Sequence, residues 1–221
     1  MSFKHSDPNF KKSILFIGAH PDDIELGCAM TVNKYVSEDC RVNFIVCTNG
    51  EKSSIGNLER RIVESKSASE CQKITNYINL GLPDTHLSFE PELTSILEKA
   101  VNSLNPDIIY THSPKDRHKD HIAVYESSTV AGRTVNEILL YPGPSSFSSF
   151  SPIEFYLYKQ ENMDYAVEVL NHFESQINSG IIDVDAIIGR ARYYASLAKS
   201  HNHSEHKFAE GFEILKKVYF Q

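Results

Sequence analysis

SILFIGAHPDDIELGCAMTVNKYVSE, residues 13–38, is the stretch that decides the fold. Its apolar run at 13–20 is typical of a buried strand, and the apolar residues three and four apart at 25–38 predict a helix. Between them stand a histidine, a proline and two adjacent aspartates. Neighbouring carboxylates at the end of a buried strand repel each other and lose hydration, so unpaired they are costly or shift their pKa. The stretch therefore predicts a positive charge beside them, supplied by the chain or by a bound cation.

The same alternation of strand and helix patterns continues along the chain. Further strands are predicted at 41–50, 76–81 and 106–112, with helices at 57–74, 91–104 and 121–135. The last third is less regular: 137–158 holds two strand-like runs, 163–177 and 184–201 are typical of helices, and 210–220 suits a helix or a final edge strand. This alternation favours an α/β fold with a mostly parallel sheet covered on both faces. No repeat or long linker is visible, so we predict one domain over 1–221, with a flexible N-terminus at 1–12.

Composition argues against several classes of function. The 221 residues carry a net charge of -7, which gives no electrostatic reason to expect nucleic acid or an anionic membrane as partner. No run of about 18 apolar residues predicts a membrane span, and the polar start shows no signal-peptide core. The four cysteines form no CxxC pair and are expected to be reduced. We therefore predict a cytoplasmic protein without membrane insertion.

Polar clusters follow four successive predicted strands: HPDD (20–23), TNGE (48–51), GLPDTH (81–86) and THSPKDRHKDH (111–121). The carboxyl ends of parallel strands share one edge of a sheet, where ligand sites form. A catalytic zinc takes three protein ligands and a water, and one His and one Asp of the first cluster with one His of the fourth make such a set. The other aspartate would then be free to take a proton from the metal-bound water. Taken singly, the aspartates also suit a helix N-cap and the histidines a solvated helix start, but their convergence favours a metal site.

Two of these stretches carry a family resemblance. AHPDDIELG (19–27) followed by SPKDRHKDHIAV (113–124) resembles the PIG-L/LmbE-like family of zinc-dependent N-acetylglucosaminyl deacetylases. Lesser matches fall in the expected order at 48–51, 61–65, 80–84 and 209–213. The resemblance implies a Rossmann-like α/β fold, with a mostly parallel twisted sheet and a less regular C-terminal part that completes the pocket. It also implies hydrolysis of an N-acetyl group from an N-acetylglucosamine-type amino sugar or its conjugate.

The resemblance also implies roles for individual residues. The expected zinc ligands are His20, Asp23 and His121. Asp22 is implied as the general base and His118 as the group that stabilises the oxyanion, with Asp120 orienting and charging His118. Arg61 matches an arginine near the substrate pocket, and Glu64 is expected to hold it. The metal is expected to be Zn²⁺. Fe²⁺ or another divalent ion is the alternative, because a site made of His and Asp ligands binds several divalent metals.

Other polar residues have two interpretations. Glu51 would line the substrate pocket or occupy a surface turn, and Asp84 would bind a sugar hydroxyl or cap a helix. We expect His112 to be a buried structural histidine rather than a support for the metal ligands, and His172 to pack within a helix. The histidine-rich segment 200–206 is expected to be an exposed loop.

Alternative functions remain open from the sequence. The nearest is a zinc amidohydrolase acting on a non-sugar N-acyl substrate, and another is a non-catalytic sugar or nucleotide-sugar binder on the same fold. A nucleotide-binding Rossmann protein is disfavoured because the first loop lacks GxGxxG. The expected partner is a small amino-sugar substrate. Homo-oligomers are usual in the family, although no separate pattern here predicts one. Selectivity is expected to come from the helix around Arg61, the loop 142–152 and the C-terminal third.

Overall fold

A seven-stranded sheet organises the described part of the chain, which in this computed structural model comprises residues 10–52, 58–198 and 205–219. The strands are β1 Ser13–Gly18, β2 Arg41–Thr48, β3 Asn76–Leu82, β4 Ile108–His112, β5 Glu137–Tyr141, β6 Glu154–Tyr158 and β7 Phe208–Lys217. The helices are α1 Asp23–Ser37, α2 Leu58–Cys71, α3 Pro91–Leu104, α4 Lys119–Ala131, α5 Gln160–Leu170, α6 Glu174–Asn178 and α7 Val184–Leu197. None of the helices in these ranges has the length and apolar character needed to span a bilayer.

Strand order explains where a site can form. The order is β3-β2-β1-β4-β5-β7-β6; strands β1 to β5 are parallel, and β7 runs antiparallel to both of its neighbours. After β1 the chain builds outward on one side through β2 and β3, and then returns to place β4 on the other side of β1. Connections that leave two neighbouring strands in opposite directions open a crevice at their carboxyl ends. The loops after β1 and β4 therefore meet at this switch point.

Both faces of the sheet are buried at its centre. Along β1 the side chains alternate: Leu15 and Ile17 pack with α3 and α4, whereas Ile14 and Phe16 pack with α1. All six residues of β1 are buried, which accounts for its uninterrupted apolar run. The predicted α/β class with a mostly parallel sheet and helices on both faces is confirmed.

Two element predictions in the C-terminal third are wrong in part. The helix predicted over 163–177 is two helices, because α5 ends at Leu170 and α6 begins at Glu174. The break lets Phe173 bury its ring, with 1% exposed, and brings the backbone N–H of Ser175 to Glu64 at 2.8 Å. For segment 210–220 the strand alternative is confirmed, since the segment contains most of β7, and only its predicted edge position is wrong, because β7 pairs with β5 on one side and β6 on the other.

Two further predictions fall partly outside the described residues. The first is the flexible N-terminus at 1–12, of which residues 1–9 are not described. The second is the exposed loop at 200–206, of which residues 200–204 are not described.

Candidate metal centre and active site

The turn between β1 and α1 has an unusual backbone. Asp22 lies in the left-handed region with φ of 102°, which for a residue other than glycine costs on the order of 1–3 kcal/mol and is concentrated at functional sites. It stands at the N-cap of α1, yet its side chain makes no capping hydrogen bond. Asp23 instead accepts the backbone N–H of His20 at 2.7 Å. Capping therefore does not account for Asp22.

The three predicted metal ligands come together. His20 Nδ1 lies 3.3 Å from Asp23 Oδ2 and 3.3 Å from His121 Nε2, and His121 Nε2 lies 3.3 Å from Asp23 Oδ1. Four-coordinate zinc with bonds of about 2.0–2.1 Å separates its ligand atoms by roughly 3.3–3.4 Å. The donors fit the ion in type and each pair is close to this spacing, with the two histidines facing different oxygens of Asp23. This triad of donors is the candidate metal centre.

Carboxylates lie beside the outer nitrogens of both rings, and the outer nitrogen of His121 is hydrogen-bonded. Asp116 Oδ2 lies 3.1 Å from His121 Nδ1. His20 Nε2 lies 3.2 Å from Asp84 Oδ1 and 3.4 Å from Asp120 Oδ2. Metal-binding histidines usually direct their second nitrogen to such a group, which sets the tautomer and the orientation of the ring.

The electrostatics of the centre favour a cation. Burial lowers the pKa of His121, but Asp23 and Asp116 outweigh it and raise this pKa to about 9. Burial likewise works against the charged form of His20, yet Asp23 and its neighbouring carboxylates raise its pKa well above the ordinary value. Because carboxylates dominate the potential, positive charge is stabilised where the ligand atoms meet. This agrees with the positive charge that the HPDD stretch predicts.

Asp22 pairs with the predicted arginine. Arg61 Nη2 lies 3.3 Å from Asp22 Oδ2 and donates to the carbonyl oxygen of Pro21 at 2.9 Å. Both side chains are buried, with 6% of Arg61 and 8% of Asp22 exposed. Burial raises the pKa of Asp22 to about 7, against the opposing effect of Arg61. Asp22 can therefore gain and lose a proton near neutral pH.

His118 and Asp120 are arranged differently from expectation. His118 is the N-cap of α4, and its Nδ1 accepts the backbone N–H of Asp120 at 3.3 Å. The Asp120 carboxylate accepts the N–H of Thr85 at 2.8 Å and faces His20. Its link to His118 thus runs through the backbone, so its role in orienting that ring remains a prediction.

The predicted substrate-binding carboxylates lie on adjoining loops. Asp84 accepts the N–H of Lys52 at 2.9 Å. Burial works against its charged form, but His20 and the backbone N–H groups of Lys52 and Thr85 together outweigh it and lower the pKa of Asp84 to about 2. Glu51 is exposed and accepts the N–H of Asp84 at 2.8 Å. Glu64, predicted to hold Arg61, accepts hydrogen bonds from Ser175 and Arg60. The described contacts of Arg61 are with Pro21, Asp22 and Gln176.

A cavity of about 330 Å³ opens above these groups. Its wall combines the three ligand residues and the other predicted polar groups with several apolar side chains: His20, Asp22, Asp23, Leu26, Lys52, Arg61, Asp84, Thr85, His118, His121, Pro144, Ser145, Gln176 and Ile181. Glu51 is not among them, although its neighbour Lys52 is, which agrees with the alternative that Glu51 occupies a surface turn. Such a mixed wall around charged groups is typical of a small-molecule site.

His112 offers an alternative set of metal ligands. Its Nε2 lies 3.3 Å from Asp23 Oδ2, and Asp23, His112 and His121 form a buried group of possible ligands. However, Nε2 also accepts the N–H of Ala19 at 3.1 Å, and burial lowers the pKa of His112 to about 4. His112 is fully buried and absent from the cavity wall, whereas His20 lines it. A set that contains His20 therefore faces the cavity, as His20, Asp23 and His121 do, and so does a further possible group of His20, His118 and His121.

Asp116 is the residue that sequence reasoning missed. Besides holding His121, it accepts the N–H of His118 at 2.8 Å and the hydroxyl of Ser145. A carboxylate five residues before a ligand histidine, in the same polar cluster, was the available signal.

His172, predicted to pack within a helix, pairs its Nδ1 with Ser67 Oγ at 2.8 Å in the break between α5 and α6.

Comparisons with known proteins agree with this geometry. The PIG-L family model, described as GlcNAc-PI de-N-acetylase, matches residues 15–131. Uncharacterized deacetylase YaiS of Escherichia coli (strain K12) is 35% identical over 176 residues, which cover 77% of this chain and 95% of that protein. Diacetylchitobiose deacetylase of Thermococcus kodakarensis is 22% identical over 99% of this chain and 89% of its own length. The structure of the conserved protein TT1542 from Thermus thermophilus superposes with a TM-score of 0.83 at 26% identity, covering 95% of this chain and 97% of that one. The chain therefore belongs to the PIG-L family of deacetylases.

Proposed function

We propose that this deacetylase hydrolyses the N-acetyl group of an N-acetylglucosamine-type amino sugar and that it depends on zinc held by His20, Asp23 and His121. The observation that carries the proposal is the position of Asp22, a buried carboxylate on the cavity wall beside the three ligand atoms and without a capping role. The similarity to a diacetylchitobiose deacetylase supports an amino-sugar substrate.

Asp22 is the general base in this proposal. When bound, zinc would supply a Lewis acid that polarises the acetyl carbonyl and lowers the pKa of water toward about 7. With its own pKa raised to about 7, Asp22 can accept the proton of the attacking water and release it again. Arg61 keeps the carboxylate in place and favours its charged form before the reaction.

His118 is the candidate donor to the oxyanion. Because its Nδ1 accepts the N–H of Asp120, the neutral ring carries its proton on Nε2. A donor placed toward developing negative charge contributes about 3–4 kcal/mol to the transition state. The leaving amine needs a proton: Asp22 can return the proton that it takes from water, whereas His118 could supply one only in its protonated, imidazolium form.

The test is metal content together with acetate release. We expect about one zinc per chain, acetate release from N-acetylglucosamine or its glycosides, and loss of this activity in a chelator. Asp22→Asn should keep its zinc and lose turnover. Asp107→Asn is the matched control, because Asp107 accepts the N–H of Ser13 at the opposite end of β4, and it should keep both.

Each departure from this result has a definite meaning. A chain that takes up no zinc would contradict the ligand assignment, and an active Asp22→Asn variant would contradict the base. Zinc binding without acetate release from the sugars would exclude the amino-sugar substrate and favour another N-acyl compound.

A further inference from the structure

A second and larger cavity adjoins the metal cavity. It measures about 660 Å³ and is formed mainly by the loop 142–152 and α7. Leu26, Pro144 and Ile181 belong to the walls of both cavities. A molecule whose acetamide reaches the metal centre can therefore extend directly into this second cavity, which we call the aromatic groove.

The groove presents apolar side chains to solvent. Its wall includes the rings of Phe147, Phe150, Tyr193 and Tyr194. Phe147 is 48% exposed and Tyr193 is 59% exposed. Clustered exposure of large apolar side chains in a concave surface marks a binding site rather than ordinary surface variation.

The charged residues of the wall are already engaged. Asp183 accepts the N–H of Ala186 at 3.0 Å as the N-cap of α7. Arg190 donates to the carbonyl oxygen of Leu26, and its charge lies close enough to the buried Glu210 to lower the pKa of that carboxyl, against the larger effect of burial. The wall thus holds one carboxylate and one guanidinium, each with a partner inside the chain, beside four rings that have apolar surface to offer an occupant.

The loop that carries Phe147 is tied to the segment before α4. The N–H of Phe147 donates to the carbonyl oxygen of Lys115 at 2.8 Å, and the guanidinium of Arg117 lies 5.9 Å from the centre of the Phe147 ring. Asp116, which supports His121, also accepts the hydroxyl of Ser145 in the same loop. The loop is thus fixed relative to the metal centre, so an occupant of the groove would be aligned with the reacting acetamide.

We propose that the substrate is a glycoside of N-acetylglucosamine with an aromatic aglycone, which stacks in the aromatic groove while the sugar lies over the metal centre. This inference rests on the proposed function. It adds the chemical class of the aglycone and the residues that select it.

The test compares aromatic and methyl glycosides. We would measure kcat/KM for acetate release from phenyl and methyl N-acetylglucosaminides, in both anomeric forms. Burial of the phenyl ring should raise kcat/KM by about tenfold over the methyl glycoside in the better anomer. Phe147→Ala and Tyr193→Ala should each bring this ratio down toward one.

Phe89→Ala provides the matched control. Phe89 is 51% exposed, much like Phe147, and lies outside both cavities, so its removal should leave the ratio unchanged. Acetate release with a ratio near one in the wild type would overturn the groove assignment and leave the proposed function standing. A high ratio that survives both groove substitutions would overturn it as well.

A binding measurement separates failure of the groove from failure of the proposed function. If neither glycoside releases acetate, the proposed function fails, and calorimetric titration of zinc-loaded protein with the two glycosides then decides on the groove. Phenyl binding about tenfold tighter than methyl, lost in Phe147→Ala, would support the groove, and equal binding would overturn it. Equal binding together with a dimer that Tyr193→Ala dissociates would assign the groove to contact between two copies of the chain.

Discussion

Replacing Asp116 by Asn should weaken metal binding although Asp116 is not itself a predicted ligand. Its carboxylate is 1% exposed and lies 3.1 Å from His121 Nδ1, so it holds the ring whose Nε2 faces the other ligand atoms. The amide has nearly the same shape, but it loses the negative charge and one acceptor. If its oxygen stays with the N–H of His118, its NH₂ group faces His121 Nδ1 instead.

The size of the effect follows from this one contact. A hydrogen bond to a charged group contributes about 1.5–3 kcal/mol, which corresponds to a change in affinity of roughly 10- to 150-fold. Substitution of groups that support metal-bound histidines typically weakens affinity or activity by about 10- to 100-fold. We therefore expect the Kd for zinc to rise by about one to two orders of magnitude.

The assay is competition for zinc between the protein and a chromophoric chelator, with circular dichroism to confirm that the variant is folded. Asp107→Asn makes the same chemical change in a residue that accepts the N–H of Ser13 at 2.9 Å, away from the site. It should bind zinc as the wild type does. A folded Asp116→Asn variant with unchanged zinc affinity would refute the reasoning.

Three further predictions follow from the structure. Gly143→Ala should weaken zinc binding by about tenfold or more without unfolding the chain, because its new Cβ would lie 2.9 Å from Asp116 Oδ2; chelator competition would measure this. Arg61→Met should lower the free energy of unfolding by about 1–3 kcal/mol in urea denaturation, because it leaves buried Asp22 and the carbonyl oxygen of Pro21 without their donor. Burial raises the pKa of Glu210 from 4.5 to about 7, so between these pH values the native chain keeps a proton that the unfolded chain releases. The contribution of Glu210 to the free energy of unfolding should therefore fall by roughly 3 kcal/mol as pH rises from about 4.5 to 7. The measurement is the difference in free energy of unfolding between wild type and Glu210→Gln, followed as a function of pH.

Controls decide how these results are interpreted. Arg60→Met removes an arginine that is 46% exposed and should cost less than about 1 kcal/mol, so a similar loss for Arg60 and Arg61 would contradict the importance of the buried pair. Unchanged zinc affinity in Gly143→Ala would show that the loop yields to the added methyl group. A difference between wild type and Glu210→Gln that stays constant across the pH range would show that Glu210 does not hold its proton.

Local sequence patterns were sufficient to predict the strands and helices in the first half of the chain. A strand buried on both faces needs a continuous apolar run, as in β1, and an amphipathic helix needs its 3.6-residue period, so both can be predicted without knowing their partners. The bounds predicted for α3, 91–104, are those observed. The same locality serves the site, because His20, Asp22 and Asp23 stand within four consecutive residues of one turn.

Only the tertiary structure decided which distant groups meet. Arg61 reaches Asp22 across 39 positions of the chain, and β7 takes its place between β5 and β6 by pairing with strands far away in sequence. The Asp120 carboxylate faces His20, which is 100 positions away in the chain, although His118 is only two positions away. The aromatic groove joins the loop 142–152 to α7, and no periodicity connects the two. Sequence patterns report the local conformation of the backbone and the burial of a face, whereas these contacts depend on how the finished elements pack.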